Sequence, residues 1–290
     1  MESLRDIETL AVIGAGKIGS AIIRAVRKCH SDLTVIATGR REKTLIQAKE
    51  LGAIATRDNN EAVRKAQLIV LSVKPYHFPV VLRQVERSAW RNKIVLSVMA
   101  GVKLSTLREA LTGAIVYRAM PNINALVGLS ATAVSTDSNG REYRGLIEEM
   151  LTCMGTVYWV PEEILDVWTG LAGSGPAFLA EIIDAMVLGA VAVGMPRDLA
   201  YNAILDVLEG TAKLLKNRRV HPVEMRDEVT TPAGTTIKGL MMLESEGVKA
   251  AMMKTVEAAS LRATEIGEKI DKTIRRELRE LRGNSRLVVE

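Results

Sequence analysis

The sequence predicts an α/β chain: a doubly wound parallel sheet followed by a second, all-helical domain. Three observations carry this. A glycine-rich turn joins an apolar run to a helical pattern within the first thirty residues. Strand-like and helix-like segments alternate through the first half, the pattern of parallel strands joined by right-handed crossovers. From about Pro161 the strand signals stop and long helical patterns take over.

The first element is the apolar run at 10–13, read as a buried strand. After it Ile18, Ile22 and Val26 recur at helical spacing. Between them stands Gly14-Ala15-Gly16-Lys17-Ile18-Gly19. With a strand before and a helix after, each glycine has a use. Gly14 permits a tight turn, Gly16 lets backbone approach a pyrophosphate, and Gly19 lets helix and strand pack closely. Free N–H groups at the helix start, around Lys17 and Ile18, then face an anion at the positive end of the helix dipole. The first domain is therefore Rossmann-like and binds a dinucleotide, although FAD enzymes share the motif.

Further strand-like runs lie at 33–38, 67–73, 93–98 and 114–119, with helical patterns at 42–51 and 75–87. Pro75 suits a first-turn position. A doubly wound sheet binds its ligand at the carboxyl ends of its strands, so the segments after each strand hold the candidate residues. After the second strand the sequence reads Thr38-Gly39-Arg40-Arg41, with no carboxylate for a ribose 2′-hydroxyl and a guanidinium suited to a 2′-phosphate. NADP(H) is the preferred cofactor on this reading, with NAD(H) as the alternative. Val73-Lys74-Pro75, Ala100 and Asn122 follow later strands, where the nicotinamide half should rest; Asn122 offers both a donor and an acceptor.

The helical patterns cover 164–172, 176–193, 197–217 and 236–267, then a charged tail at 271–290. The tail carries Ile270, Ile274, Leu278 and Leu281 on one stripe and charges read as a solvated face. This gives a dinucleotide-binding domain at 1–160 and a helical substrate and dimerisation domain at 161–290. Residues 182–195 are apolar nearly all round, so they require burial, and an intimate homodimer is expected. Glu181 and Asp184 sit in the most apolar window. They argue against a membrane span and read as interhelix partners.

Composition narrows the function. Apolar residues are 48% of the 290, aromatics only 3%, and the net charge is +5. Basic residues are not interleaved with stacking aromatics, which speaks against nucleic-acid binding. Cys29 and Cys153 make neither a metal-ligand spacing nor a disulfide framework; both read as buried thiols of a cytoplasmic protein, and no metal is expected. His30, His77 and His221 fall in no motif and read as surface or structural residues.

The last chemical block is Asp227 to Lys238. Thr231, Gly234, Thr235 and Thr236 bring hydroxyls and free N–H groups to a helix start, a ready site for a small carboxylate. From composition alone, an ordinary Thr-capped helix start describes it as well.

Taken together, Gly14-Ala15-Gly16-Lys17-Ile18-Gly19, Val73-Lys74-Pro75, Met120-Pro121-Asn122, Gly173-Ser174-Gly175-Pro176-Ala177 and the block from Asp227 to Thr236 resemble the pyrroline-5-carboxylate reductase family over about residues 8–270. The resemblance implies a Rossmann domain and a helical dimerisation domain. It implies dimers that often assemble further, commonly into decamers, and reduction of a cyclic imino acid to proline. It places the substrate carboxylate on N–H groups around Gly234, Thr235 and Thr236, and the Thr236 hydroxyl at the ring nitrogen as the catalytic group. Ser174 is expected as a helix N-cap. Three positions depart from the family pattern: Ala233 replaces a glycine, Glu228 replaces Asn or Gln, and Asn124 stands where a second proline is frequent. Alternatives are a β-hydroxyacid dehydrogenase, which needs a lysine that residues 175–194 lack, a deazaflavin-dependent NADP reductase, and a non-enzymatic NADP-sensing module.

Overall fold

A computed structural model describes residues 3–286. The chain divides into two compact units, one of residues 3–173 with 259–286 and one of residues 174–258. The division thus runs differently from a single cut at 160.

The first unit is built on eight strands: β1 (Thr9–Ile13), β2 (Thr34–Thr38), β3 (Ile54–Thr56), β4 (Leu68–Leu71), β5 (Ile94–Ser97), β6 (Ile115–Met120), β7 (Ser130–Thr136) and β8 (Gly155–Trp159). Their order is β3-β2-β1-β4-β5-β6-β7-β8. All pairs are parallel except β6 with β7. The order reverses between β1 and β4, so the glycine turn opens at the switch point where such sheets bind ligands.

Successive side chains alternate between two cores, as the pleat requires. Leu10, Val12, Val35, Ala37, Leu68 and Val70 face α1 (Lys17–Cys29), α2 (Glu42–Glu50) and, further along the sheet, α6 (Arg144–Thr152). Ala11, Ile13, Ile36, Ile69, Leu71 and Val95 face α3 (Asn59–Lys65), α4 (Phe78–Gln84) and α5 (Leu104–Ala110). The five strands read from sequence are all present. β3, β7 and β8 were not expected. β3 has three residues, and β7 reads Ser-Ala-Thr-Ala-Val-Ser-Thr, whose small and hydroxyl-bearing side chains give no apolar alternation.

The helices after the sheet differ in detail from expectation. The pattern at 164–172 is α7 (Ile164–Trp168) followed by a π-helical turn, Thr169–Gly173. The 176–193 and 197–217 patterns are α8 (Gly175–Ala192) and α9 (Arg197–Arg218). A short helix, α10 (Pro222–Glu228), was not foreseen. The 236–267 pattern is two helices, α11 (Thr235–Ser245) and α12 (Val248–Arg286), separated where Gly247 takes φ +64°. The tail does not begin a new helix; α12 runs on through it.

The distal half of α12 belongs to the first unit. Ile274 and Leu278 are fully buried against the second core, with Ile270 beside them; the Leu281 side chain lies outside the described residues. The charges here are not all solvated. Asp271 is buried, accepts from Lys103 N at 3.2 Å and pairs with Arg275 at 2.8 Å. Arg118, in the middle of β6, is also buried. It forks to Glu162 at 3.1 Å and Asp166 at 3.3 Å, while Glu162 accepts from Leu104 N at 2.7 Å.

In the second unit Val187, Ala200 and Ile204 form a small core between α8 and α9. Leu179, Met186, Leu188, Leu199, Val207, Met242 and Met253 stay exposed. The burial expected for 182–195 is met within the chain only at Val187, so most of this apolar surface has no cover in a single copy. By length and composition Ile164–Ala192 could cross a membrane. Glu181 and Asp184 make no ion pair among the described residues, so the interhelix role expected of them has no partner inside one copy. Cys29 is exposed rather than buried, and Cys153 is half-buried.

Candidate active site

The cradle for a dinucleotide forms at the carboxyl ends of β1, β2 and β4. Gly14 takes φ +97°, and a Cβ there would stand 2.7 Å from Val73 Cγ1, so the turn packs directly on the segment after β4. Gly19 presses against the Gly14 carbonyl, leaving no room for a side chain. Around Gly16 the opposite holds: a Cβ would meet nothing within 4 Å, and the backbone faces open space. Gly16 caps α1 without a side chain, and no acidic residue stands in the first turn. The first N–H groups of α1, at Lys17, Ile18 and Gly19, have no intrahelical acceptor. This arrangement fits a pyrophosphate.

Thr38 fixes the cradle. It is buried, its hydroxyl accepts from Gly14 N at 3.2 Å, and its carbonyl accepts from Ala15 N at 2.8 Å. Its side chain is spent on shaping the turn. Arg40, two residues on, is exposed and bonds His77 Nε2 at 2.6 Å. Arg57 donates to the Arg40 carbonyl at 2.8 Å and pairs with Glu42, so the carboxylate nearest in sequence is already matched. Val73 packs on Gly14, Lys74 is exposed, and Pro75 opens a 3₁₀ turn, Pro75–His77, that leads into α4. The 75–87 helix pattern is thus a 3₁₀ turn plus a shorter α-helix.

Ala100 is exposed in the turn after β5. Beside it, Gly101 takes φ +77°, and a Cβ on it would lie 2.7 Å from Gly267 Cα on α12. Asn122 is buried. Its Nδ2 donates to Ala172 O at 3.1 Å and its Oδ1 accepts from Asn124 N at 3.2 Å. Only the second hydrogen and second lone pair of the amide are left for a ligand. Asn124, the departure noted in sequence, supplies one of those partners.

In the second unit, α11 begins without a side-chain cap. Its N-cap is Gly234, not a threonine, which corrects the Thr-capped reading. Thr231 Oγ1 presses on the Gly234 Cα, where a Cβ would collide with it. Ala233 takes φ +60°, the left-handed region that a glycine occupies freely. Thr235 is exposed, Thr236 is half-buried, and the N–H groups of this first turn lack intrahelical acceptors. The geometry suits a small anion. Glu228 is held by Arg218 through two bonds of 2.6 Å, and this pairing lowers its pKa. Its charge is therefore matched locally. Ser174 occupies the N-cap of α8 but makes no capping bond.

The histidines divide. His221 caps α10 by accepting from Val223 N at 3.2 Å, and His30 stands 3.7 Å from Glu149. His77 stands instead at the cradle. Sequence spacing could not reveal this, because only the sheet order places the turns after β2 and β4 on either side of β1. Among the described residues there is no cluster of three or more His, Cys, Asp or Glu able to hold a metal.

Known proteins are similar to this chain along nearly its whole length. A family profile described as pyrroline-5-carboxylate reductase dimerisation matches residues 162–266, and one described as NADP oxidoreductase, coenzyme F420-dependent, matches residues 9–101. A pyrroline-5-carboxylate reductase of Methanosarcina acetivorans is 39% identical, covering 90% of this chain and 99% of its own. Pyrroline-5-carboxylate reductase 3 of Rattus norvegicus is 35% identical over 92% and 99%. The structure of a pyrroline-5-carboxylate reductase from Coxiella burnetii superposes with a TM-score of 0.81 at 26% identity, covering 88% of this chain and 97% of that one. Identity at this level along nearly the whole length settles the relationship: the chain belongs to the pyrroline-5-carboxylate reductase family.

Proposed function

We propose that this protein reduces 1-pyrroline-5-carboxylate to proline with NADP(H), NAD(H) serving as the weaker alternative. The observation that carries the reading is the uncapped start of α11, rimmed by Thr231, Thr235 and Thr236, in a chain that also bears an open glycine cradle. The Gly234 N–H donates to the Thr231 carbonyl at 3.1 Å, so the N–H groups of Thr235 and Thr236, which follow the Gly234 cap, hold the substrate carboxylate, and the helix dipole favours its charge. The chemistry that reduced nicotinamide supplies when bound is a hydride for the imine carbon. The Thr236 hydroxyl holds the ring nitrogen, which ends as an amine with one added proton. A threonine hydroxyl is too weak an acid to provide that proton at neutral pH. The imine therefore enters protonated or takes its proton from water through Thr236. Positioning and fixed dipoles supply most of the acceleration.

The exposed apolar face of the second unit suits a homodimer, with higher assemblies built from dimers. Glu181 and Asp184 within the apolar helix favour a cytoplasmic protein over a membrane-spanning one. A deazaflavin-dependent reductase is the second reading, favoured by the profile over residues 9–101. The test is a steady-state assay of purified protein with the cyclic imine and each nicotinamide, beside a reduced deazaflavin with NADP. Turnover of the imine by NADPH supports the proposal; turnover of the deazaflavin alone rejects it.

A further inference from the structure

The Arg40–His77 contact joins two turns that the sheet order keeps apart. Arg40 follows β2 and His77 follows β4, and these strands flank β1 on opposite sides. The 2.6 Å bond between them therefore crosses above the carboxyl end of β1, beside the glycine turn. A guanidinium can only donate, so His77 Nε2 accepts and its imidazole is neutral in this state. Burial and the Arg40 charge both lower the His77 pKa. The charged surroundings are basic. Arg40 meets His77 from the β2 turn; Arg57 and Glu42, paired with each other, stand behind Arg40; Lys74 and Tyr76 lie on its own turn, the Tyr76 ring edge-on at 4.2 Å. Among the described residues His77 has no carboxylate partner.

We infer that His77 is a specificity-determining residue: a 2′-phosphate entering between Arg40 and His77 takes the guanidinium's hydrogen bond, and the imidazole gains a proton and donates to the same phosphate. This rests on the reading of Arg40 as the 2′-phosphate contact. An NADPH molecule then exchanges one protein–protein hydrogen bond for two charge-assisted bonds to its phosphate, while NADH leaves the Arg40–His77 bond intact. The balance is simple: one proton moves from solvent to His77 Nε2, and no covalent bond changes.

Linkage fixes the sign. If the bound phosphate raises the His77 pKa, NADPH binding takes up a proton and strengthens as pH falls. NADH binding carries no such dependence through His77. The preference for NADPH should therefore rise between pH 8 and pH 6.5, with a limiting gain of about tenfold for each unit by which the phosphate lifts the His77 pKa. Protonation of the 2′-phosphate itself, near pH 6, acts in the opposite sense. It is common to all variants and subtracts out.

The experiment measures dissociation constants of NADPH and NADH by fluorescence titration, without substrate, across this pH range. The proteins are wild type, His77→Gln and Arg40→Ala; proton uptake on NADPH binding is read by calorimetry in two buffers. We expect the NADPH preference of wild type to rise on acidification with proton uptake, and His77→Gln to lose both while keeping a preference through Arg40. A His77→Gln protein with the wild-type slope and proton uptake overturns the inference. An Arg40→Ala protein with unaltered NADPH preference overturns the underlying placement of the phosphate instead. The two failures are distinct.

Discussion

Gly101 and Gly267 meet backbone to backbone: a Cβ on Gly101 would stand 2.7 Å from the Gly267 Cα. This contact seats α12 against the turn that follows β5. The two glycines should not respond alike to alanine. At Gly101 the new methyl adds a clash to a left-handed backbone at φ +77°, and we expect a loss of about 2–4 kcal/mol. At Gly267 the nearest approach is 3.3 Å, and the gain of about 1 kcal/mol in helix propensity offsets it. Thermal unfolding of Gly101→Ala and Gly267→Ala should therefore show a clearly lowered Tm for the first only.

Thr236→Ala tests the chemistry. Loss of the hydroxyl at the ring nitrogen should lower kcat by about 10–100-fold, or about 1.4–2.7 kcal/mol of barrier. NADPH affinity should stay within about twofold, since the cradle at β1 is untouched. An unchanged kcat would remove Thr236 from the mechanism.

Ala233 offers a stability test. Its φ of +60° costs an alanine about 1–2 kcal/mol. Glycine removes that cost but loses about 0.4–1 kcal/mol through the freer unfolded chain. Ala233→Gly should be neutral or stabilising by about 1 kcal/mol, whereas Ala233→Val should destabilise. Denaturant titration of the three proteins distinguishes the outcomes, and a destabilising glycine would contradict the backbone assignment.

Asp271 gives an acid-dependent effect. Burial pushes its carboxyl pKa up, but the bonds from Arg275 at 2.8 Å and from the Lys103 N–H at 3.2 Å outweigh this and hold it below the usual carboxylate value. A depressed folded pKa contributes stability that is present above the unfolded value and lost as pH falls through the folded one. Wild type should exceed Asp271→Asn by about 1–3 kcal/mol near neutral pH. That margin should shrink below about pH 4. A margin independent of pH would refute the charge-based account.

The cysteines should differ in reactivity. Burial, then a hydrogen bond with Cys29, raises the Cys153 thiol to about 12. Little thiolate forms there near pH 8, while Cys29 is exposed. Iodoacetamide followed by peptide mass analysis should find Cys29 labelled at least about tenfold faster. Equal rates would overturn the assignment.

The glycine cradle was legible in sequence because its parts are contiguous: strand, turn and helix follow one another from Thr9 to Cys29. Strands β1, β2, β4, β5 and β6 were legible through their apolar runs. β7 was not, since Ser130 and Thr132 turn inward and bond each other at 2.9 Å, so hydroxyls stand where apolar residues are sought. The tail illustrates a different limit. Its stripe of Ile270, Ile274 and Leu278 was visible, but what it covers depends on contacts more than 150 residues away in sequence, as between Asp271 and Lys103. Arg40 could be picked out because no carboxylate stands at the end of the second strand, where Thr38 and Gly39 precede it. Its partner His77 could not, because the turn that carries it comes close only once the strands are ordered.

The fork from Arg118 to Glu162 and Asp166 has a bearing on dissection of this enzyme. The cation lies inside the sheet unit, and both anions come from beyond residue 160. A fragment ending there would strand a dehydrated guanidinium, strip the acceptor from Leu104 N and leave bare the core that Ile274 and Leu278 close. The nucleotide-binding half has no autonomy at that cut; isolating it as a soluble piece requires the far end of the last helix to be supplied with it.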